Sequence, residues 1–100
     1  MQVCNISFQV EPATEMKWLE WMKTVFIPSM MDLNCFGEYK FYSLEVDATQ
    51  APTYTLQLFC NSKETMELYR LQHAATQISL LHTTWGEQCF HFSSYMQIVN

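Results

Sequence analysis

Charged side chains are scarce in this chain, and basic ones are the scarcest. Charged residues make up 15% of the 100 residues, with five Lys and Arg against ten Asp and Glu. Typical domains carry roughly 25%, so this composition favours a surface partly covered by another chain. Nucleic acids and anionic membranes call for clustered Lys and Arg, whereas these five are dispersed. The sequence therefore predicts neither a nucleic-acid nor a membrane partner.

Glycine is almost absent, with only Gly37 and Gly86. Two isolated glycines cannot form a phosphate-cradling loop. The sequence also lacks the Gly-x-Ser-x-Gly turn of hydrolases and the His-x-x-x-His, Glu-x-x-His and Cys-x-x-Cys spacings of metal sites. We therefore expect no metal and no cofactor.

Long apolar runs are missing too, since none approaches the ~18 residues of a membrane span. The start Met1-Gln2-Val3-Cys4-Asn5 lacks the basic and apolar regions of a signal peptide, so we expect a cytoplasmic protein. The four cysteines are widely spaced and could in number form two disulfides. Reduced, buried thiols fit the expected compartment better. These cysteines are Cys4, Cys35, Cys60 and Cys89.

What the chain does contain is a clear order of periodic segments. Alternation of apolar and polar residues predicts strands at Gln2–Val10, Cys35–Asp47, Thr53–Cys60 and Glu87–Val99. A first helix is predicted from Thr14 to about Ile27, and a second from a capping box at Asn61 and Glu64 to about Thr83. The order βαββαβ predicts a single ferredoxin-like α+β domain over residues 1–100. Right-handed crossovers place both helices on one face of a four-stranded antiparallel sheet.

The first helix has the widest apolar surface, centred on Trp21 and Val25 when the residues are placed at 100° intervals. One interpretation is a helix packed deep in the core. The other places Trp21 at the edge of a ligand pocket or subunit contact, where Trp is enriched. Pro28 has no N–H to donate to the Thr24 carbonyl. We therefore expect a kink or an end at Ile27, followed by one short turn through Met31.

The sheet face opposite the helices is the candidate functional surface. If the more apolar phase of each strand faces the helices, the other phase carries no Lys, Arg, Asp or Glu. Such a neutral, partly aromatic face predicts a homodimer with two sheets packed together. The space between them is either a ligand cavity or an interface filled by its own side chains. This face is predicted to contain Asn5, Ser7, Gln9, Tyr39, Ser43, Thr53, Thr55, Gln57, Phe59, His91, Ser93, Tyr95 and Gln97.

Histidine is the main candidate for acid–base chemistry, and the chain has three. His91, with Tyr95 on the same side, is predicted to line the pocket on the open face. His73 lies one turn after Tyr69 in the second helix and is either a structural hydrogen-bonding residue or an acid–base group. His82 is expected to complement the carbonyls at the end of that helix.

Several short motifs occur in a characteristic order along the chain. They are Cys4-Asn5-Ile6-Ser7, Trp18-Leu19-Glu20-Trp21-Met22, Phe26-Ile27-Pro28, Cys35-Phe36, Tyr54-Thr55-Leu56-Gln57, and Tyr69 with His73-Ala74. In these motifs the chain resembles, end to end, a small bacterial family known only as a domain of unknown function. Its signature is a Trp-Leu-x-Trp-Met helix followed by Ile-Pro. Phe26 departs from that pattern, because the family often has His there.

The resemblance implies a ferredoxin-like fold of the dimeric α/β-barrel type, an architecture that includes cofactor-independent monooxygenases and isomerases. Two functions follow as hypotheses. The first is a homodimeric module that holds a small hydrophobic or aromatic ligand between its sheets without catalysis. The second is a cofactor-independent monooxygenase or isomerase acting on a conjugated small molecule. We favour the first, because His91 and tyrosines are the only acid–base groups expected on the open face.

Overall fold

The structure, a computed structural model, describes residues 1–100, and its elements follow the predicted order. The strands are β1 (Gln2–Val10), β2 (Glu38–Ser43), β3 (Thr53–Cys60) and β4 (Cys89–Gln97). The helices are α1 (Glu15–Trp21), α2 (Ile27–Met31), α3 (Lys63–Gln72) and α4 (Ala74–Trp85), with a π-turn at Met22–Phe26 and 3₁₀ turns at Pro12–Thr14 and Gly86–Gln88. No helix has the length and apolar character needed to cross a membrane.

The sheet has the order β2-β3-β1-β4, and every neighbouring pair is antiparallel. In β1, the side chains of Cys4, Ile6, Phe8 and Val10 are buried against the helices, while the residues between them remain partly exposed. The same alternation runs through β3. These central strands coincide with their predicted bounds because one buried face imposes a strict period of two.

The first helical segment continues through Pro28 instead of stopping. The π-turn widens the helix just before the proline, and the N–H of Ile27 donates to the carbonyl of Met22, five residues back. A wide turn of this kind accommodates a residue that cannot donate its own hydrogen bond. The predicted short turn through Met31 is present as α2.

The second predicted helix is two helices that meet at His73. The backbone N–H of His73 donates to the Tyr69 carbonyl (2.9 Å), and the His73 carbonyl accepts from the Gln77 N–H (3.1 Å). Neither Pro nor Gly marks this break. The predicted cap is also wrong by one residue: Ser62 Oγ, not Asn61, accepts the N–H of Thr65 (3.1 Å).

This cap gives a direct stability test. Ser62→Ala removes the side-chain acceptor of an otherwise unpaired helix N–H, so the free energy of unfolding should fall by about 1 kcal/mol. Urea denaturation measures the loss. Asn61→Ala is the matched control and should change stability by less than about 0.5 kcal/mol. Equal losses in the two variants would contradict the assignment of Ser62 as the cap.

The register of β4 corrects the predicted faces. His91 lies opposite Phe8 and Tyr95 opposite Cys4, so both side chains share the helix side with the core of β1. Ser93 and Gln97 follow the same phase. The prediction that they lie on the open face is wrong, because it assumed that the more apolar phase of an edge strand must be buried. Phe90, Phe92 and Met96 instead project from the uncovered side.

The edge strand β2 is corrected in the same way. Tyr39 pairs with Leu58 and Ser43 with Tyr54, so both belong to the helix side. Glu38 and Lys40 take the open side at this edge. The uncovered face is therefore free of charged residues along β1, β3 and β4, but not along β2.

Candidate functional site

We define the open face as the side chains of the sheet that point away from the helices. Its centre is polar and neutral. Asn5 of β1 lies between Gln57 of β3 and Ser94 of β4, and Asn5 Nδ2 donates to Ser7 Oγ at 3.4 Å. The members assigned by register are Val3, Asn5, Ser7, Gln9, Glu38, Lys40, Tyr42, Thr53, Thr55, Gln57, Phe59, Phe90, Phe92, Ser94 and Met96.

Large apolar side chains flank this polar centre. On β4, Phe90 is 63% exposed, Phe92 54% and Met96 42%. The rings of Phe90 and Phe92 lie 6.2 Å apart, so they form a continuous apolar band along the edge. On the other side, Lys40 Nζ lies 5.8 Å from the centre of the Phe59 ring. Clusters of exposed apolar side chains are typical of interaction surfaces when they are extensive.

The structure brings together only some of the sequence-predicted site residues. Asn5, Gln57 and Phe59 lie on the open face. Tyr39, His91 and Tyr95 lie on the opposite side of the sheet. Trp21 and His73 belong to the helical layer. The three apolar residues of β4 were not predicted, and no local signal distinguishes their phase from a buried one.

Trp21 is a packing residue in the helical layer. Its ring stacks on Phe26 at 5.6 Å and meets Trp85 edge to face at 5.7 Å. These contacts tie the first helical segment to α4. Of the two interpretations of Trp21, the structure supports the packed one.

His91 lies against the end of α4, close to His82. Burial, and secondarily the neighbouring His82, lowers the pKa of His91 below its usual 6.5. A neutral imidazole at pH 7 follows from this direction. No group of three or more His, Cys, Asp or Glu is arranged to hold a metal ion.

The cysteines are buried and unpaired. Burial raises the pKa of the Cys4 thiol to about 12, although its hydrogen bond with Tyr95 acts in the opposite direction. Burial likewise raises the pKa of Cys89 to about 11 and that of Cys35 above its usual value. These groups stay protonated near neutral pH, and a protonated thiol is a poor nucleophile.

A surface cavity of about 570 Å³ lies at the corner where β2 begins and β3 ends. Its walls are Met1, residues 34–38, residues 59–62 and Thr65. Cys60 Sγ donates to the Ser62 carbonyl there at 3.2 Å. The cavity is separate from the centre of the open face, and Glu38 is the one carboxylate in its wall.

A four-stranded antiparallel sheet of this order, with its helices on one face, defines the protein as ferredoxin-like. Residues 1–99 match a family model described as a domain of unknown function (DUF4286), and the chain belongs to that family. The resemblance seen in the sequence motifs thus leads to a family without an assigned function. No curated protein matches the chain.

Solved structures share the fold at low sequence identity. An ethyl tert-butyl ether d (EthD) family protein of Bacillus halodurans superposes with a TM-score of 0.70 and 10% identity, covering 98% of this chain and 100% of its own. A monooxygenase from the gene ActVA-Orf6 of Streptomyces coelicolor, in complex with nanaomycin D, superposes with a TM-score of 0.67 and 12% identity. The match covers 99% of this chain and 88% of the monooxygenase. A dimeric ferredoxin-like protein of an uncultured marine organism superposes with a TM-score of 0.54 and 9% identity. The match covers 99% of this chain and 96% of the marine protein. At these identities the likeness establishes the fold alone.

Proposed function

We propose that the chain is a single domain that forms a homodimer through its open face and holds a small hydrophobic or aromatic ligand between the two sheets. The observation that carries this proposal is the apolar band of Phe90, Phe92 and Met96 on a sheet face without helices. Full burial of one such side chain contributes roughly 1.5–3 kcal/mol. In a two-fold dimer both protomers use the same surface, so each of these residues contributes once from each protomer.

The polar centre supports a ligand as well as a partner. Asn5, Ser7, Thr55, Gln57 and Ser94 are amides and hydroxyls that need hydrogen-bond partners once water is excluded. Neutral donors and acceptors between aromatic walls suit an uncharged ring system that carries oxygen substituents. The similar Streptomyces coelicolor protein is itself in complex with nanaomycin D. The similar marine protein is described as dimeric.

The oligomeric state is the first test. In sedimentation equilibrium the protein should weigh about twice 11.8 kDa. A strict monomer at micromolar concentration would overturn the proposed dimer. Native mass spectrometry of protein purified from its own host should then show a small molecule retained by the dimer. If the dimer has the mass of two protein chains and nothing more in every preparation, the space between the sheets is an interface filled by its own side chains, not a ligand cavity.

A cofactor-independent monooxygenase or isomerase is the second candidate, because one similar structure is a monooxygenase. Such an enzyme needs an acid–base group beside its substrate. His91 and Tyr95, the groups expected to serve, face the helices instead. We therefore rank binding without catalysis above catalysis.

The four buried thiols also support our placement of the protein in a bacterial cytoplasm.

A further inference from the structure

A second recess lies at one end of the sheet, mainly on its helix side. It is a cleft of about 310 Å³ between α3 and the ends of β1 and β4. Gln2 and Gln97, two of its lining residues, face each other directly across the β1–β4 ladder. We call this the Arg70 cleft, and it is lined by Gln2, Lys63, Met66, Glu67, Arg70, Tyr95, Met96 and Gln97.

The distinctive feature of the cleft is an arginine whose cationic group lies over an aromatic ring. The guanidinium carbon of Arg70 lies 4.2 Å from the centre of the Tyr95 ring. Tyr95 is itself packed against the hydrophobic core, opposite the fully buried Cys4. The attraction between this cation and the face of the ring restrains Arg70, whose guanidinium has five N–H groups that can donate hydrogen bonds. The ring therefore orients a planar donor at low entropic cost.

The charge of the cleft differs from that of the whole chain. Lys63 and Arg70 are two of only five basic residues in a protein of net charge −5. Both line this recess, together with a single carboxylate, Glu67. The residues at 63, 67 and 70 follow helical spacing along one side of α3. The lining thus carries one net positive charge.

Amides complete the set of polar groups. Gln2 and Gln97 on the strands offer uncharged donors, and the two cations are on α3. A guanidinium edge suits two oxygens of one carboxylate or phosphate, with which it forms paired, charge-assisted hydrogen bonds. The recess is limited in size, since 310 Å³ equals about ten water molecules at a liquid volume of ~30 Å³ each.

We propose that the Arg70 cleft binds the carboxylate or phosphate group of a small anionic ligand, with Arg70 as the bidentate donor. Lys63 adds a second positive charge, and the side-chain amides of Gln2 and Gln97 donate further hydrogen bonds. Glu67 weakens binding and favours ligands of higher charge. Arg70, Tyr95 and Gln97 lie on the opposite side of the sheet from the open face, and Met96 is the lining residue that belongs to the open face. The proposal for this site does not rest on the dimer.

Backbone-amide NMR titration of the full chain tests the proposal and identifies the anion. The probes are succinate, inorganic phosphate and, at matched ionic strength, sodium chloride. Succinate or phosphate should shift the amides of α3 and of the end of β4, and chloride should not. A response to phosphate alone assigns a phosphate site, and a response to succinate alone a carboxylate site. No shift beyond that of chloride at millimolar concentrations would overturn the proposal.

Charge variants give the quantitative test. Arg70→Gln should weaken the probe that binds by roughly ten- to hundredfold, because charge-assisted hydrogen bonds are lost. Arg70→Lys keeps the positive charge but loses the paired N–H donors of the guanidinium. Its affinity for the probe should lie between those of the unchanged protein and Arg70→Gln. Glu67→Gln should tighten binding by roughly two- to fivefold. Lys23→Gln, an exposed cation on the first helical segment, is the matched control and should leave binding unchanged.

The outcomes separate this site from the proposed dimer. If Arg70→Gln and Lys23→Gln weaken binding equally, the cleft is not the site, and the proposal fails. If circular dichroism shows that Arg70→Gln does not fold, Arg70→Lys and Glu67→Gln decide the question. Anion affinity that is unchanged or weaker in Glu67→Gln would contradict the charge argument. A substitution on the open face, Phe92→Glu, should leave anion binding intact even where it alters the oligomeric state.

Discussion

Trp18→Ala is expected to lower the free energy of unfolding by about 3–5 kcal/mol, the usual cost of truncating a large buried aromatic residue. Trp18 is fully buried, and its ring lies 5.2 Å from Phe8, 5.0 Å from Tyr54 and 6.1 Å from Phe41. It therefore joins the first helical segment to three strands. Domains of this size are stable by only about 5–15 kcal/mol, so the variant should lose a large part of its stability.

Urea denaturation followed by circular dichroism measures this loss. Met16→Ala, on the same helix but 79% exposed, is the control and should cost less than about 0.5 kcal/mol. Trp18→Phe should cost less than Trp18→Ala, because it keeps a ring and removes the indole N–H, which is buried without a hydrogen-bond partner. Similar losses for Trp18→Ala and Met16→Ala would contradict the role of Trp18 in the core.

Phe92→Glu is expected to convert the proposed dimer into a monomer with its fold intact. Phe92 is half exposed on the open face near the middle of the edge strand β4, opposite Ser7. In the dimer the substitution would bury a carboxylate without a partner at two symmetry-related places, at roughly 2 kcal/mol or more each. A total of about 4 kcal/mol raises the dissociation constant by roughly a thousandfold.

Sedimentation equilibrium should then show the mass fall toward 11.8 kDa. Leu71→Glu is the matched control, because Leu71 is 84% exposed on α3 and lies away from the open face. It should leave the dimer unchanged, and both variants should keep their helical circular dichroism. A Phe92→Glu protein that remains dimeric would show that another surface mediates association.

The central strands and the element order could be read from the sequence, because β1 and β3 each bury one face and so impose strict alternation. The edge strand β4 alternates equally well, but its alternation does not reveal which phase is buried. Phe90 and Phe92 are more apolar than His91 and Ser93, and the usual rule therefore selects the wrong face. Only the pairing of β4 with β1 resolves this point.

Other features depend on residues far apart in the chain. The stacking of Arg70 on Tyr95 joins a helix to a strand 25 positions later, and no spacing rule connects them. The break at His73 carries no Pro or Gly, so no local signal in the sequence predicts it. Pro28 did predict a disturbance of the first helix. It could not indicate that the disturbance would be a wider turn.

That wide turn sets the rotational phase of the residues that follow it. Trp18, Met22, Phe26 and Met30 are all fully buried at intervals of four. In a straight α-helix each interval of four advances about 40° beyond a full turn, so Met30 would sit about 120° away from Trp18. The π-turn offsets this drift, because its hydrogen bond spans five residues and each of its turns therefore contains more residues than a turn of α-helix. Straightening this segment into an α-helix of unchanged length would therefore rotate α2 and carry Met30 out of the core. Deleting one exposed residue of the turn, such as Thr24, would also straighten it, but eleven steps of 100° end only about 20° past three full turns, so Met30 would stay on the same side as Trp18.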